Sequence, residues 1–341
     1  MADDDYGLVV GINEYAEPPG ALEGAKQDAR DFLDWLKSSS GANVPEKNVD
    51  PFVRLSDAKR TEPTYSTLLT LLVAIRKRAP GGSKKRVGRR LYIFLAGHGI
   101  SPPTDLDETG LVTVEAEDQL MPCLPGKQSA DGFVLTGRFD EVLLFMDCCR
   151  VTDLLQKQNV IPIVEKPDPN AAAKVKRFYV YAAAFGKPAR EVRDNGVTRG
   201  IFSRVLIDAL RGAASPDPDG RLTTTQLRAY LEREMKNVVI NGEEQVPKFP
   251  STDEIVLVHG LTPRRVAINV TFAAPIDHIA VLDGGNRLAP VTPDDMVATA
   301  TGCRFSVPAA RTYLLVARNA AGASIGFKEL KAEGEQIDVT L

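Results

Sequence analysis

The sequence contains few of the residues on which many catalytic and metal sites depend. Its 341 residues include only four cysteines and three histidines, and no two cysteines stand in a Cys-x-x-Cys pair. The spacing typical of a zinc site is therefore absent. The glycines near the first apolar run also lack the Gly-x-Gly-x-x-Gly spacing of a dinucleotide site. Any mechanism that needs an imidazole must use His98, His259 or His278.

Neither sign of charge is in excess, and no long apolar run occurs. The 42 Lys and Arg residues and 45 Asp and Glu residues leave a net charge of −3, so no global field attracts nucleic acid or an anionic membrane. No apolar run approaches the roughly 18 residues of a membrane-spanning helix. The start, MADDDYG, lacks the layout of a signal peptide. We therefore expect a cytoplasmic protein with reduced cysteines that binds neither nucleic acid nor membrane.

Short apolar runs alternate with amphipathic segments over the first 260 residues. The runs at 6–13, 49–55, 90–96, 142–146, 178–183 and 254–259 predict strands, whereas 22–37, 63–79, 201–210 and 223–232 predict helices. Residues 101–138 are interpreted as a small hairpin and loops. The alternation predicts an α/β/α sandwich with a mostly parallel six-stranded sheet that helices cover on both faces.

The pattern changes after Gly260, where only strand-like runs follow. They lie at 266–272, 278–282, 303–307, 312–317 and 337–341, and turn residues separate them. This pattern predicts a second, all-β domain over residues 262–341, a sandwich of the immunoglobulin-like kind.

Two reactive side chains follow two of the predicted buried strands. His98 comes after the strand at 90–96, and Cys149 after the strand at 142–146. Because ligands bind outside the carboxyl ends of parallel strands, we expect the two residues to meet at one sheet edge. A Cys–His pair there can perform nucleophilic catalysis. Side chains alternate along a strand, so Asp147 and Cys149 share a side while Cys148 faces the core.

Several motifs together are similar to those of one enzyme family. They are YGLVVGINEY at 6–15, LEGAKQDA at 22–29, LAGHG at 95–99, FMDCC at 145–149, AAFG at 183–186 and GIFS at 200–203. Through them the sequence resembles the caspase-like cysteine peptidases (family C14), and it is closer to metacaspases than to animal caspases. Asp147-Cys148 precedes the cysteine where animal caspases have Gln-Ala, and Arg150-Val-Thr follows it where metacaspases have His-Ser-Gly.

The resemblance implies a peptidase domain over residues 1–260. It consists of a large-subunit-like part (1–156), a connecting loop (157–177) and a small-subunit-like part (178–260). Cys149 is then the nucleophile and His98 the acid–base group, and the backbone N–H groups of Gly99 and Cys149 bind the oxyanion. Asp28 and Asp147 line a pocket for an Arg or Lys side chain before the cut. Asp28 also lies on or beside the apolar stripe of its helix, where an unpaired carboxylate is unfavourable.

The same resemblance implies a protein or peptide substrate and a latent enzyme. The loop at 157–177 is then a processing site, cut by the chain itself or by an activating protease, unless a regulatory protein or a ligand activates the enzyme. No cofactor is required for this chemistry. Calcium activation is an alternative without support, because Asp105, Asp107 and Glu108 are interpreted as an exposed acidic loop. The departure after Cys149 keeps open a second function, a catalytically silent caspase-fold interaction module.

Overall fold

The chain forms two compact units. In the computed structural model, the described residues are 3–15, 20–79, 86–117, 120–150, 165–194, 196–217, 219–236, 239–240, 243–262, 265–272, 276, 278–284, 288–299, 301–309, 311–332 and 336–341. The first unit comprises Met1–Arg211 and Thr223–Val258, and the second comprises Gly212–Leu222 and His259–Leu341. Each unit is considered by itself.

The chain up to residue 258 contains both strands and helices. The strands are β1 (Asp5–Gly11), β2 (Val53–Leu55), β3 (Gly88–Gly97), β4 (Gly99–Ile100), β5 (Gly110–Val112), β6 (Cys123–Pro125), β7 (Phe139–Cys148), β8 (Lys176–Tyr181), β9 (Glu191–Asp194), β10 (Val197–Gly200), β11 (Leu222–Thr223), β12 (Val239–Ile240), β13 (Glu243–Glu244), β14 (Lys248–Thr252) and β15 (Val256–Val258). The helices are α1 (Ala25–Lys37), α2 (Tyr65–Arg76), α3 (Gly126–Val134), α4 (Pro169–Ala172), α5 (Ile201–Asp208) and α6 (Thr224–Lys236). Among the helices of the described ranges, none combines the length and apolarity that crossing a membrane requires.

A six-stranded sheet organises the first unit. Its order is β14-β8-β7-β3-β1-β2, and every pair is parallel except β14 with β8. The mostly parallel six-stranded α/β architecture predicted from the sequence is thus confirmed. The central strands are buried along almost their whole length, as expected where helices cover both faces. The register pairs Gly97 of β3 with Cys148 of β7. The residues that follow these two strands therefore leave the sheet at the same edge.

One strand that was predicted for this sheet forms but lies outside it. The apolar run at 254–259 forms only β15, which pairs with β11 outside the main sheet. The sixth strand is β14, with the sequence Lys-Phe-Pro-Ser-Thr. An edge strand needs only one apolar contact and tolerates proline, so it leaves no apolar run in the sequence. Phe249 supplies that contact by packing its ring 6.1 Å from that of Phe178.

The segment 101–138 contains more regular structure than the predicted hairpin. Strands β4, β5 and β6 form a three-stranded sheet, and α3 follows it directly. The prediction of an exposed acidic loop is wrong for Glu108, which is buried. Its carboxylate accepts the backbone N–H groups of Lys127 and Gln128 and so caps the start of α3. Burial raises the pKa of Glu108 to about 7.

The predicted connecting loop is described only in part. Residues 157–164 lie outside the described residues. In the remainder, the Asp168 side chain accepts the N–H groups of Asn170 and Ala171 and caps the single-turn helix α4. Strand β8 begins at Lys176, so the last two residues of the predicted loop belong to the sheet.

Helix α1 attaches its apolar side to the centre of the sheet. The Phe32 ring stacks on that of Phe94 in β3 at 4.5 Å and lies 5.4 Å from that of Phe145 in β7. Trp35, one turn further on, packs its ring edge-on against Tyr92. This packing fixes the position of Asp28, which lies one turn before Phe32 on the same helix.

The second unit contains two four-stranded sheets. Its strands are β16 (Arg265–Thr271), β17 (His278–Asp283), β18 (Ala289–Val291), β19 (Asp294–Thr299), β20 (Gly302–Pro308), β21 (Thr312–Arg318), β22 (Ser324–Lys331) and β23 (Gln336–Thr340). The sheet orders are β19-β20-β16-β23 and β18-β17-β21-β22. Side chains of both sheets, such as Phe305 and Leu315, share one buried cluster. These two layers around a common core are a sandwich.

The stacking of Phe32 leads to a stability prediction. We expect Phe32→Ala to lower the free energy of unfolding by about 3–5 kcal/mol, because it leaves a cavity between α1 and the sheet. Denaturant titration followed by the fluorescence of Trp35, the single tryptophan, measures this change. Asp34→Ala, at an exposed position of the same helix, is the matched control and should change the value by less than about 0.5 kcal/mol. Equal losses in both variants would contradict this account of α1.

Candidate active site

A pocket at the carboxyl edge of the sheet brings together side chains from distant parts of the sequence. Its lining includes His98, which follows β3, and Cys149, which follows β7. Three carboxylates, those of Asp28, Asp147 and Glu191, line the same pocket. The space within it, counted together with the open solvent at its mouth, is about 310 Å³.

His98 is held by contacts that set its protonation. Its Nε2 lies 2.8 Å from the carbonyl oxygen of Gly20. A carbonyl can only accept a hydrogen bond, so Nε2 carries the proton and Nδ1 is the nitrogen that can exchange one. The Tyr15 hydroxyl accepts the backbone N–H of His98 at 3.1 Å, and the Tyr15 ring contacts the imidazole edge-on at 4.8 Å. The imidazole is therefore fixed in both orientation and tautomer.

Cys149 differs in its environment from the other cysteines. It is half-buried, whereas Cys123, Cys148 and Cys303 are buried. The Cys149 thiol donates to the carbonyl oxygen of Ala189 at 3.4 Å. Burial raises the pKa of Cys149, which favours the neutral thiol. Cys148 belongs to the hydrophobic core, as the alternation along β7 predicts.

Two glycines allow the backbone to come close at this edge. A Cβ atom on Gly99 would collide with the carbonyl oxygen of Cys149 and lie 2.7 Å from the Cβ of Cys148. A Cβ atom on Gly97 would lie 2.5 Å from the hydroxyl of Tyr15. Only glycine therefore allows the His98 segment and the Cys149 segment to approach this closely.

Asp28 and Asp147 converge on one short segment of the chain. Asp28 Oδ2 accepts the backbone N–H of Gly200 at 2.9 Å, and Asp147 Oδ2 accepts the Ser203 hydroxyl at 2.6 Å. A Cβ atom on Gly200 would collide with Asp147 and lie 3.0 Å from Asp28 Oδ2. Asp28 Oδ1 is buried, and no residue of the described ranges forms a hydrogen bond with it. The two carboxylates thus have part of their hydrogen-bonding capacity unused.

The carboxylates also share an unfavourable electrostatic environment. Burial, followed by the repulsion from Asp147, raises the pKa of Asp28 well above its usual range. Burial raises the pKa of Asp147 to about 6, although its hydrogen bonds to Ser203 oppose this shift. Two buried like charges close together favour protonation. Three carboxylates outnumber the one guanidinium, that of Arg190, among the residues that line the pocket, so the pocket is suited to a positively charged ligand group.

Glu191 is a third acid that the sequence analysis missed. Its carboxylate accepts the backbone N–H of Gly24 at 2.7 Å and that of Glu23 at 3.2 Å, where α1 begins. No periodicity places an acid at this position in the sequence, because Glu191 follows a loop rather than an apolar run. Its only sequence signal is its place some residues after the predicted strand at 178–183.

Arg150 occupies the position where the sequence departs from the metacaspase motif. It is buried, and its guanidinium donates to the Thr109 hydroxyl at 2.9 Å and to the Leu106 carbonyl. The group also lies 4.8 Å from the ring centre of Tyr181. Burial lowers the pKa of Arg150 from a very high ordinary value, so the side chain stays charged at neutral pH. Arg150, the residue that departs from the metacaspase motif, therefore forms buried contacts that stabilise this part of the structure.

The structure brings together all five site residues predicted from the sequence. His98, Cys149, Asp28 and Asp147 line the pocket, and Gly99 touches the Cys149 backbone. In the part of the chain that the structure describes, no three His, Cys, Asp or Glu side chains form a group that could hold a metal ion. A thiol and an imidazole beside an acidic pocket can carry out acyl transfer on a substrate with a cationic side chain. The catalytic roles of the individual residues stay predictions.

The shared acidity of the pocket predicts a pH-dependent effect on stability. The folded-state pKa of Asp28 and of Asp147 lies above that of the unfolded chain, so folding binds protons and stability falls as pH rises through about 6. We expect Asp28→Asn to raise the thermal midpoint by about 2–4 °C at pH 8 and by less at pH 5. Thermal unfolding at both pH values measures this difference.

The matched control is Asp31→Asn on the same helix. Asp31 forms an ion pair with Arg199 at 2.6 Å, so its replacement removes an attraction and should lower the midpoint at both pH values. A lower midpoint of Asp28→Asn at pH 8 would contradict the repulsion between Asp28 and Asp147.

Comparisons with known proteins identify the family of the chain. Residues 5–255 match the family model described as the caspase domain of C14 peptidases. A relative described as a probable protease from a Desulfuromonadales bacterium is 26% identical over 238 residues, which cover 67% of this chain and 28% of that protein. Caspase-1 from Spodoptera frugiperda has 13% identity and a TM-score of 0.48, over 76% of this chain and 91% of that one. Because the family model matches most of its length, the chain belongs to the caspase-domain family of cysteine peptidases.

Proposed function

We propose that the chain is a cysteine endopeptidase that hydrolyses peptide bonds after arginine or lysine. The observation that carries this proposal is the single pocket lined by the Cys149 thiol, the His98 imidazole and three carboxylates. The substrate is a protein or peptide. The reaction requires no cofactor, because the thiol, the imidazole and water supply every group that reacts.

The proposed reaction proceeds through a thioester. The Cys149 thiol is neutral at rest, so the His98 Nδ1 accepts its proton as the sulfur attacks the scissile carbonyl. The backbone N–H groups of Gly99 and Cys149 stabilise the oxyanion, and the close approach of Gly99 to Cys149 supports this role. His98 then gives the proton to the leaving amine. Finally, it activates a water molecule that hydrolyses the thioester and regenerates the thiol.

The specificity for basic residues rests on unsatisfied carboxylate oxygens. The buried Asp28 Oδ1 has no hydrogen-bond partner in the part of the chain that the structure describes, and a buried oxygen in this state is destabilising. A guanidinium or ammonium group would donate to it and place positive charge beside Asp147 and Glu191. Binding a cation therefore relieves both the missing hydrogen bond and the repulsion. An acidic side chain would increase the repulsion.

We also propose that the enzyme is latent before activation by cleavage or by a ligand. The basic residues of the connecting loop at 157–177, such as Lys166, Lys174 and Arg177, support this, because they are of the kind after which the proposed enzyme cuts. The partner is then an activating protease, which can be the chain itself, or a regulatory protein. Calcium activation stays a prediction that the same assays can test.

Cleavage profiling with a peptide library tests the proposed specificity. We expect cuts only after Arg and Lys, and Cys149→Ala should abolish them because the nucleophile is missing. His98→Ala should lower the rate by about 10²–10⁴-fold through the loss of acid–base catalysis. Each assay is run with and without calcium, on the protein before and after limited proteolysis.

The control is Cys148→Ala, which removes the adjacent core thiol and should leave the cleavage pattern unchanged. Undiminished cleavage by Cys149→Ala would disprove the assignment of the nucleophile. A folded protein that binds basic peptides but never cleaves them would favour the interaction module instead.

Latency leads to a separate prediction. The purified, uncut chain should show at least about tenfold lower activity than the same protein after cleavage within 157–177. Gel analysis and rate measurement on the same samples over time follow both properties. A chain that stays intact and is fully active from the start would contradict latency but not the peptidase activity.

A further inference from the structure

A short loop carries the groups that touch the candidate nucleophile. This 182–190 loop leaves the end of β8 and returns to the pocket before β9. Within it, Gly186 N–H donates to the Arg150 carbonyl at 2.8 Å, and Lys187 O accepts the Arg150 N–H at 3.0 Å. Ala189 O accepts the Cys149 thiol at 3.4 Å. The position of the Cys149 side chain therefore depends on the shape of this loop.

One buried side chain joins the two ends of the loop. Gln245 Oε1 accepts the N–H of Arg190 at 3.0 Å, and Gln245 Nε2 donates to the carbonyl of Ala182 at 3.1 Å. Gln245 is only 4% exposed. The orientation of its amide follows from its partners, because an N–H can only donate and a carbonyl can only accept. Replacing the Oε1 group leaves the part-buried N–H of Arg190 without this acceptor, and replacing the Nε2 group leaves the buried carbonyl of Ala182 without this donor.

The hydrogen bond to Arg190 acts on the same peptide group that contacts Cys149. Ala189 C=O and Arg190 N–H belong to one planar unit, in which the two groups point in opposite directions. When Gln245 holds the N–H from one side, the carbonyl is directed at the sulfur on the other side. The contact to the Cys149 thiol is therefore set by Gln245, although Gln245 does not touch Cys149.

Ala182, whose carbonyl accepts from Gln245 Nε2, is also hydrogen-bonded to β7, the strand that precedes Cys149. Ala182 N–H donates to the carbonyl of Met146 in β7 at 2.9 Å. A chain of hydrogen bonds thus connects β7 through Ala182 and Gln245 to the Ala189–Arg190 peptide group. That peptide group in turn contacts Cys149, the residue after β7. A closed path of this kind constrains a loop more than a single contact does, because each end is tied to the same rigid strand.

We infer that Gln245 is a positioning residue for Cys149, acting through the Ala189–Arg190 peptide group. The inference rests on the proposed function for its catalytic meaning, but not for its geometry. It assigns a task at the active site to a residue in the segment between β13 and β14, 96 positions from the cysteine in the sequence.

Alkylation of Cys149 tests the inference without any assay of cleavage. In Gln245→Met, which has a side chain of similar length that forms neither hydrogen bond, the peptide group is released and the thiol loses its acceptor. Because the contact between Cys149 and the Ala189–Arg190 peptide group then changes, the pH midpoint of alkylation should differ from that of the wild type by roughly half a unit. The charged and titratable groups that line the pocket with Cys149 are Asp28, His98, Asp147, Arg190 and Glu191, and the substitution neither adds nor removes any of them. Mass spectrometry assigns the alkylated cysteine, and Cys149→Ala gives the background.

The matched control is Gln226→Met at the start of α6. Gln226 accepts the backbone N–H of Thr223 at 2.7 Å, so its loss weakens the fold by a comparable hydrogen bond away from the pocket. We expect its alkylation midpoint to equal that of the wild type. An unshifted midpoint in folded Gln245→Met, or an equal shift in Gln226→Met, would overturn the inference.

A second variant applies if Gln245→Met does not fold. Gln245→Glu offers the same acceptor and, when protonated, a donor to Ala182. Relative to the wild type, the kcat of Gln245→Glu should therefore be closer to normal at pH 6 than at pH 8, with KM little changed.

If Gln245→Met does fold, its kcat should be about tenfold lower than that of the wild type. Wild-type protein without peptidase activity but with the alkylation shift in Gln245→Met would contradict the proposed function and support the inference.

Discussion

The parallel register between β3 and β7 is the constraint on which the site depends. Gly97 lies beside Cys148, so His98 and Cys149 leave the sheet together. A slip of one residue would exchange the two faces of a strand and turn Cys148, instead of Cys149, toward the pocket. Both faces of these strands are buried, so a slip would place side chains into spaces that fit other side chains, at a cost in packing on each face. The packing of the sheet thus also selects the reactive cysteine.

The buried carboxylates of the pocket lower the stability of the fold that surrounds them. Asp28 and Asp147 are buried close together, and the fold compensates by directing the N–H of Gly200 and the hydroxyl of Ser203 at them. The compensation by the described residues is incomplete, because none of them donates a hydrogen bond to Asp28 Oδ1. Carboxylates held in this way favour an incoming cation, because the ligand supplies what the protein leaves unsatisfied. Apolar residues at the same positions would stabilise the fold and remove this selectivity.

The sequence predicted the parts of the structure that are coded by local patterns. Continuous apolar runs identified β1, β3, β7 and β8, and the ends of β3 and β7 identified His98 and Cys149. The edge strand β14 and helix α3 were missed because the first has one large apolar residue and the second depends on Glu108, a cap distant in sequence. Glu191 and Gln245 were missed for a similar reason: each acts on backbone groups of another segment, and such contacts leave no period in the sequence.

Specificity and reactivity are linked at this site by charge. Asp147 and Glu191 add to the effect of burial in raising the pKa of Cys149, so the empty pocket disfavours the thiolate. A cationic side chain bound to the same carboxylates would offset their field at the sulfur and favour the thiolate. A neutral or acidic side chain would leave the field in place. With the proposed specificity, the carboxylates would both bind the charge of the substrate and, once it is bound, ease the loss of the thiol proton.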